Sequence, residues 1–307
     1  VKSPRESFLA GGTTLVDLMK LGVERPATLV DINRLPLARI EANDDGAMIG
    51  AMVRNSDLAW HDTIRRHYPM LSEALLSGAS PQLRNMATVG GNLMQRTRCY
   101  YFRDGVSPCN KRSPGAGCAA IGGFNRIHAV LGGSDKCVAT HPSDMCVALA
   151  ALEAIIHVQG PAGARTIPIH EFYIASGDDP ARETTLAPGE LITAVELKRQ
   201  PFFARSHYLK VRDRESYEFA LASAAVALEI DGGTIRSVRV GLGGVAGKPW
   251  RSVEAEAILK DAPVGEATFR KAADAAMTAA SPLAHNGFKI ELAKRTLVRA
   301  LETVAAQ

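Results

Sequence analysis

The sequence predicts an α+β protein of two domains. Three observations carry that reading. Strand-like and helix-like segments alternate through the first part of the chain, three strand candidates in succession follow Arg199-Gln200-Pro201, and helices close the chain. A length of 307 residues is ample for two sizeable cores, so neither metal nor disulfide has to replace hydrophobic burial.

Taken in order, Phe8-Leu9-Ala10 runs into the turn Gly11-Gly12-Thr13-Thr14, after which Leu15, Leu18, Met19 and Leu21 recur at helical spacing. Residues 27–32 read as a buried strand and complete a strand, turn, helix, strand unit. Residues 47–53 form a further strand. Asn55 or Ser56 caps a helix running toward Tyr68 with Pro69 as its stop, and a second helix covers about 70–76. Ser80-Pro81 and Thr88-Val89-Gly90-Gly91-Asn92 then break the pattern. Ser143 or Asp144 caps a helix with Met145, Leu149, Leu152 and Ile156 on one face, while residues 154–158 also read as extended. Gly160-Pro161-Ala162-Gly163 is a turn, and residues 191–197 are a strand. In the second domain, strands over 208–212, 221–230 and 235–241 precede helices over 253–259, 266–279 and about 290–304.

With 46% hydrophobic and 22% charged residues, the composition is that of a soluble globular protein. The net charge of +4 is spread along the chain, which argues against a nucleic-acid or membrane surface. No apolar run approaches the ~20 residues of a membrane span, and Val1-Lys2-Ser3-Pro4-Arg5 lacks the apolar core of an export signal. A start at Val rather than Met leaves room for residues upstream.

Periodicity disappears from about residue 96 to 137. This stretch holds four of the five cysteines, seven glycines and seven basic residues (Arg96, Arg98, Arg103, Lys111, Arg112, Arg126, Lys136) against only Asp104 and Asp135. A structureless loop of that length calls for something non-peptidic to organise it. The spacing Cys99-x9-Cys109-x8-Cys118-x18-Cys137 has no paired C-x2-4-C of the zinc type. Disulfides would tie the loop, but a chain of this size has little need of them. Four thiolates also suit an iron–sulfur cluster, which cations and backbone N–H groups favour, yet the spacing matches no short ferredoxin pattern. Zinc, disulfides and cluster all stay open on spacing alone. His128 and His141 are substitute ligands that read first as structural histidines, and Cys146 reads as a small buried hydrophobe.

Gly11-Gly12-Thr13-Thr14 and Gly90-Gly91-Asn92 are turns of similar chemistry. Glycine lets a backbone approach a phosphate, and hydroxyls add donors, so two such turns suit a dinucleotide diphosphate. Gly241-Leu242-Gly243-Gly244-Val245-Ala246 nominally fits a Rossmann fingerprint, but Lys248-Pro249-Trp250 stands where the helix should open. It reads as a turn.

At this point the residues carry a resemblance. Ala10-Gly11-Gly12-Thr13 with Asp17-Leu18-Met19-Lys20, Thr88-Val89-Gly90-Gly91-Asn92, Ser143-Asp144, Pro188-Gly189-Glu190-Leu191-Ile192, and Gly243-Gly244-Val245-Ala246 with Lys248-Pro249-Trp250-Arg251 resemble the FAD-binding medium subunit of the xanthine dehydrogenase and molybdenum hydroxylase family. The likeness covers nearly the whole chain. The cysteine segment is similar to the branch containing bacterial periplasmic aldehyde oxidoreductase, whose flavin subunit carries an extra [4Fe–4S] cluster.

The resemblance implies a vanillyl-alcohol-oxidase-type (PCMH-like) FAD-binding domain over 1–200, with an iron–sulfur insertion at about 96–137. A CO-dehydrogenase-flavoprotein-like α+β domain follows over 201–307. It implies that Ala10, Gly11, Gly12, Thr13 and Thr14 bind the FAD diphosphate, with Thr88, Gly91 and Asn92 as the second contact loop. Asp144 would hold the ribityl or diphosphate region, Leu191 or Ile192 would lie near the adenine, and Lys210 near the isoalloxazine. Cys99, Cys109, Cys118 and Cys137 would hold the cluster. The family has a further strand and helix before the first glycine loop, which this sequence does not show whole.

By the same resemblance the chain transfers electrons rather than attacking substrate. Molybdopterin in a large subunit oxidises an aldehyde or purine, two [2Fe–2S] clusters in a small subunit relay the electrons, and FAD passes them on within a heterotrimer. The implied location is the periplasm, by export with a signal-bearing partner, or the cytoplasm. The residues themselves agree, with no nucleophile and base pair at a recognisable spacing and no NAD fingerprint. The rivals are a stand-alone flavin oxidase with a disulfide-tied loop and a zinc-stabilised binding module. One preparation separates the three by absorption spectrum and metal analysis: flavin absorbance with iron and sulfide is expected, whereas flavin without iron marks the first rival and a colourless protein the second.

Overall fold

A computed structural model describes residues 6–43, 45–177 and 179–307, so Val1-Lys2-Ser3-Pro4-Arg5, read above for an export signal, lie outside the described residues. Glu6–Leu9 and Thr28–Asp31 pair in parallel across the helix Leu15–Lys20, which is the expected strand, turn, helix, strand unit. The second strand is mostly exposed rather than buried. Among the described residues its sheet has only two strands, so no further layer covers Leu29.

The next sheet is antiparallel, in the order Ile40–Ala42, Gly46–Gly50, Leu191–Lys198, Ile155–Gly160, Gly163–Pro168. Ile49 and Val195 of this sheet share a core with Leu58, Leu71, Leu75 and Leu149 of the helices over it. The helix expected from 55 to 68 is two, Asn55–Trp60 and Asp62–His67, because the backbone at His61 is extended (φ −67°, ψ 123°). Neither Asn55 nor Ser56 caps it: Arg54 holds the cap position, and Ser56 Oγ donates to Asn85 Oδ1 at 2.6 Å. Pro69 opens the following helix Pro69–Ser77, where its missing N–H has no intrahelical partner to lose.

The helix Asp144–Ala151 starts as predicted, with Ser143 Oγ accepting from the Cys146 amide at 3.1 Å. It ends before Leu152, and Ile156 belongs to the strand Ile155–Gly160. Every residue of this helix is buried, because elements pack on both sides of it.

After a 3-10 turn at Pro201–Ala204 comes a four-stranded antiparallel sheet, in the order Trp250–Arg251, Thr234–Gly243, Ala222–Asp231, Ser206–Val211. Strand alternation divides its residues cleanly. Ala222, Ala224, Val226 and Leu228 enter a core with Leu259, Phe269, Leu297 and Leu301 of the helices Val253–Leu259, Glu266–Ala276 and Phe288–Ala305. Ala225 and Ala227 face the other way and join the core of the first domain. There the helix Asp144–Ala151 comes so close that a Cβ on Gly243 would sit 2.4 Å from Val147 Cγ2 and 2.5 Å from Ser223 Oγ.

The aperiodic stretch has two short helical turns, Tyr100–Arg103 and Ala119–Gly122. Protein contacts organise much of the remainder. Lys289 Nζ, fully buried, donates to the carbonyls of Ile127 (3.1 Å), His128 (2.9 Å) and Gly244 (2.5 Å). Asn286 Nδ2 donates to the carbonyls of His128 and Ala129, and Arg126 grips Asp213 with two bonds at 2.6 and 2.8 Å. Side chains of the second domain thus satisfy backbone groups that have no regular ladder.

Gly243→Ala is expected to destabilise the protein by about 1–3 kcal/mol through overpacking, as read by denaturant unfolding. Val147→Ala in the same chain should recover part of that loss. Simple additivity of the two substitutions would show that they do not share a contact.

Candidate functional site

The turn Ala10–Thr14 is shaped by its surroundings. Gly12 has φ +75°, and a Cβ on Gly11 would lie 1.9 Å from the Met86 carbonyl oxygen, so only glycine fits. Asn33 Nδ2 donates to the Ala10 carbonyl at 3.0 Å, and Arg54 Nη1 donates to the Met86 carbonyl at 2.5 Å, fixing both sides of that approach. The second turn opens the helix Val89–Leu93. Thr88 Oγ1 accepts from the Gly91 amide at 3.1 Å, and the amides of Val89 and Gly90 bond to Val53 and Ala51.

Ala10, Gly11, Gly12, Thr13, Thr14, Thr88 and Gly91 line one cleft of about 450 Å³. Its far wall carries Arg96 and Lys111. Arg96 pairs with Glu24 and, at 2.5 Å, with Glu183, which Lys111 Nζ also meets at 2.9 Å. Burial would raise the Glu183 carboxyl, yet Arg96 and Lys111 hold it below the ordinary carboxylate range.

A second cleft of about 540 Å³ lies between the domains and shares Thr140, His141 and Pro142 with the first. Its wall includes Arg98, Arg103, Asp144, Phe219, Ser223 and Gly244. His141 is neutral, since burial pushes its pKa down to about 3, and its buried Nε2 has no partner. Asp144 is fully engaged, accepting from Tyr208 Oη at 2.6 Å and from Lys210 Nζ at 2.8 Å. Burial first, and the Asp144 charge second, hold Tyr208 well above the ordinary phenol range.

Cys99, Cys109, Cys118 and Cys137 line a single small cavity, and all are free thiols. Asn110 joins their segments: its amide and Oδ1 exchange bonds with Gly117 at 2.7 and 2.8 Å, and its Nδ2 donates to the Lys136 carbonyl at 2.9 Å. His128 Nε2 lies 3.1 Å from Cys99 Sγ. Burial pushes the Cys99 thiol up to about 12. Among the described residues, no three His, Cys, Asp or Glu side chains are placed to hold a single metal ion.

Residues 1–198 match the FAD binding domain in molybdopterin dehydrogenase, and residues 207–304 match the CO dehydrogenase flavoprotein C-terminal domain. The chain is 52% identical to the aldehyde oxidoreductase FAD-binding subunit PaoB of Escherichia coli, over 99% of this chain and 93% of that one. The chain belongs to the FAD-binding medium subunits of the xanthine dehydrogenase and molybdenum hydroxylase family. Its likeness extends at 27% identity to the carbon monoxide dehydrogenase medium chain of Hydrogenophaga pseudoflava, covering 98% of this chain and 89% of that one. The solved carbon monoxide dehydrogenase of that organism superposes with a TM-score of 0.76, covering 99% of this chain and 91% of the other.

The medium subunit fits FAD by its own geometry. Two glycine turns face one cleft, a second cleft continues from it, and an unpartnered imidazole nitrogen is buried in their shared wall. The structure does not bring every expected residue there. Asn92 lies off the cleft lining, with its Oδ1 accepting from Ser143 Oγ at 2.6 Å, so it ties the turn to the helix cap. Leu191 and Ile192 line neither cleft; they begin a strand of the five-stranded sheet, and Ile192 is in the main core. Lys210 lines neither cleft either, because it stands behind Asp144 and also donates to the Ser77 carbonyl at 3.1 Å.

Other residues were not singled out. Arg96, Arg98 and Arg103 read in sequence as cations around a cluster, but their side chains line the two clefts. Only Lys111 and Lys136 of the seven basic residues line the cysteine cavity. Local charge counts carry no direction, which is why this was missed. Cys146 is fully buried in the main core, as expected, with Sγ 3.0 Å from Tyr173 Oη.

Gly11→Ala should lower the FAD-to-protein ratio of purified protein at least tenfold, because the new methyl displaces the turn from Met86. Full flavin content in that variant would remove the turn from the FAD site.

Proposed function

We propose that this medium subunit is the electron-transfer flavoprotein of a molybdenum-containing aldehyde oxidoreductase. The observation that carries the reading is the 52% identity to the E. coli aldehyde oxidoreductase subunit along almost the whole of both chains. Bound FAD supplies two-electron redox chemistry that no side chain offers. The protein binds it, orients it and sets its environment. Ala10, Gly11, Gly12, Thr13, Thr14, Thr88 and Gly91 hold the diphosphate in the first cleft, Asn92 and Asp144 fix the surrounding backbone, and the second cleft takes the ring. Electrons come from iron–sulfur clusters of partner subunits and leave for a terminal acceptor.

The partners in this reading are a large molybdopterin-binding subunit and a small subunit with two [2Fe–2S] clusters, together a heterotrimer. The compartment is the periplasm, reached with a signal-bearing partner, by the likeness to the periplasmic branch; the cytoplasm is the alternative. Cys99, Cys109, Cys118 and Cys137 hold a [4Fe–4S] cluster in this subunit. Their convergence on one cavity supports that assignment, and a cluster spreads its thiolates over four separate irons instead of gathering them on one ion. The disulfides of a stand-alone oxidase find no support, since all five cysteines are free.

Cys118→Ser is expected to lower iron from about four per chain while flavin persists, because the glycine turns lie outside the insertion. Normal iron in that variant would count against this ligand set.

A further inference from the structure

The family resemblance implies Lys210 as the cation beside the flavin, but that charge is matched by Asp144 behind the cleft wall. The second cleft has another source of positive charge. Arg98, just before the N-cap Cys99 of the turn Tyr100–Arg103, and Arg103, the last residue of that turn, both line it. They share one carboxylate: Arg98 Nη1 lies 3.2 Å and Arg103 Nη2 2.6 Å from Asp17 Oδ2. Arg98 Nε and Arg103 Nη1 are buried with no partner. Every carboxylate on the cleft wall has its own cation, Asp104 with Arg112, Asp144 with Lys210, Asp213 with Arg126 and Glu218 with Arg214. Two guanidiniums on the half-exposed Asp17 therefore leave this cleft with one positive charge in excess. An arginine keeps its charge inside a protein. An anion is what the pair lacks.

We propose that Arg98 and Arg103 are the counter-charge for the reduced flavin. This rests on the FAD reading above. Bound FAD would supply two-electron chemistry here: two electrons from the partners' reduced iron–sulfur centres and one proton from solvent would enter on reduction, and the terminal acceptor would later remove both electrons with release of the proton. Reduction adds one negative charge to the bound group, and a cleft with one unmatched cation binds the reduced form more tightly than the oxidised form. Phosphate oxygens carry the same charge in both states, so arginines that met only the diphosphate would strengthen binding without moving the potential.

The test is a redox titration of the flavin in the full complex, with FAD content measured separately by extraction. Arg98→Gln or Arg103→Gln should weaken reduced relative to oxidised flavin at least tenfold, a fall of about 30 mV in the two-electron midpoint. Asp17→Asn, which removes the shared carboxylate, should raise the midpoint, and Arg98→Lys should stay near the parent value. Loss of FAD at unchanged potential would assign the pair to the phosphates and overturn the proposal, as would unchanged potentials in both glutamine variants. Parent protein without any FAD would overturn the reading beneath it, a result separate from either.

Discussion

The close packing of one short helix, Asp144–Ala151, against the second sheet is the constraint on which the rest of the structure depends. A helix lies this near a sheet only where the sheet has almost no side chains, and Gly241, Gly243, Ala225 and Ala227 provide that face. The helix start is thereby held between domains. Ser143 caps it and is tied to the second glycine turn through Asn92, while Asp144 is clamped by Tyr208 and Lys210 from the second sheet. A buried pair of this kind contributes little net stability, but it defines position. Both clefts meet at the residues just before this cap, so the geometry of the flavin site is set by packing far more than by the turns alone.

The cysteine insertion is built into the same frame. It leaves the first domain after the second glycine turn and returns at Thr140-His141-Pro142, so both ends form cleft wall. Thr97, Lys111 and Ala139 line the first cleft and the cysteine cavity alike. What fills one cavity therefore bears on the wall of the other. Its second half is held by Lys289 and Asn286 from the closing helix region, and buried carbonyls met by a buried ammonium resist opening to water. An insertion anchored this way is a structural bridge between the domains as well as a cysteine carrier.

Much of this was legible in the sequence, and the parts that were not share a cause. Turns and caps are local chemistry, so Gly11-Gly12, Thr88 and Ser143 could be placed from their neighbours. The strands of the second domain were expected over 208–212, 221–230 and 235–241, and the structure shows why Ala222–Asp231 is apolar on both faces: each face meets a different core. Burial of Thr28–Asp31 failed because a strand's pattern does not say how many strands stand beside it. The position of Lys210 depends on distant partners, Asp144 and Ser77, that no local window contains. The arginines of the insertion are the sharpest case. Their types and numbers were plain, but their partners Glu24, Glu183, Asp17 and Asp213 lie far away in sequence.

Those distant partners change what the local excess of charge means. Seven basic residues against two acidic ones suggest a positive shell around the cysteines, yet most of that charge is matched by carboxylates brought from outside. The matching is uneven between the clefts. In the first, Arg96 and Lys111 meet Glu24 and Glu183, so the wall opposite the glycine turns is nearly neutral and attraction for phosphate rests on backbone amides and hydroxyls. In the second, Arg98 and Arg103 outnumber the one carboxylate they share. A dinucleotide whose phosphates keep a constant charge while its ring gains one on reduction meets a neutral wall at one end and an excess cation at the other. The field across the site thus distinguishes oxidation states as well as holding the molecule, and the insertion is what supplies it.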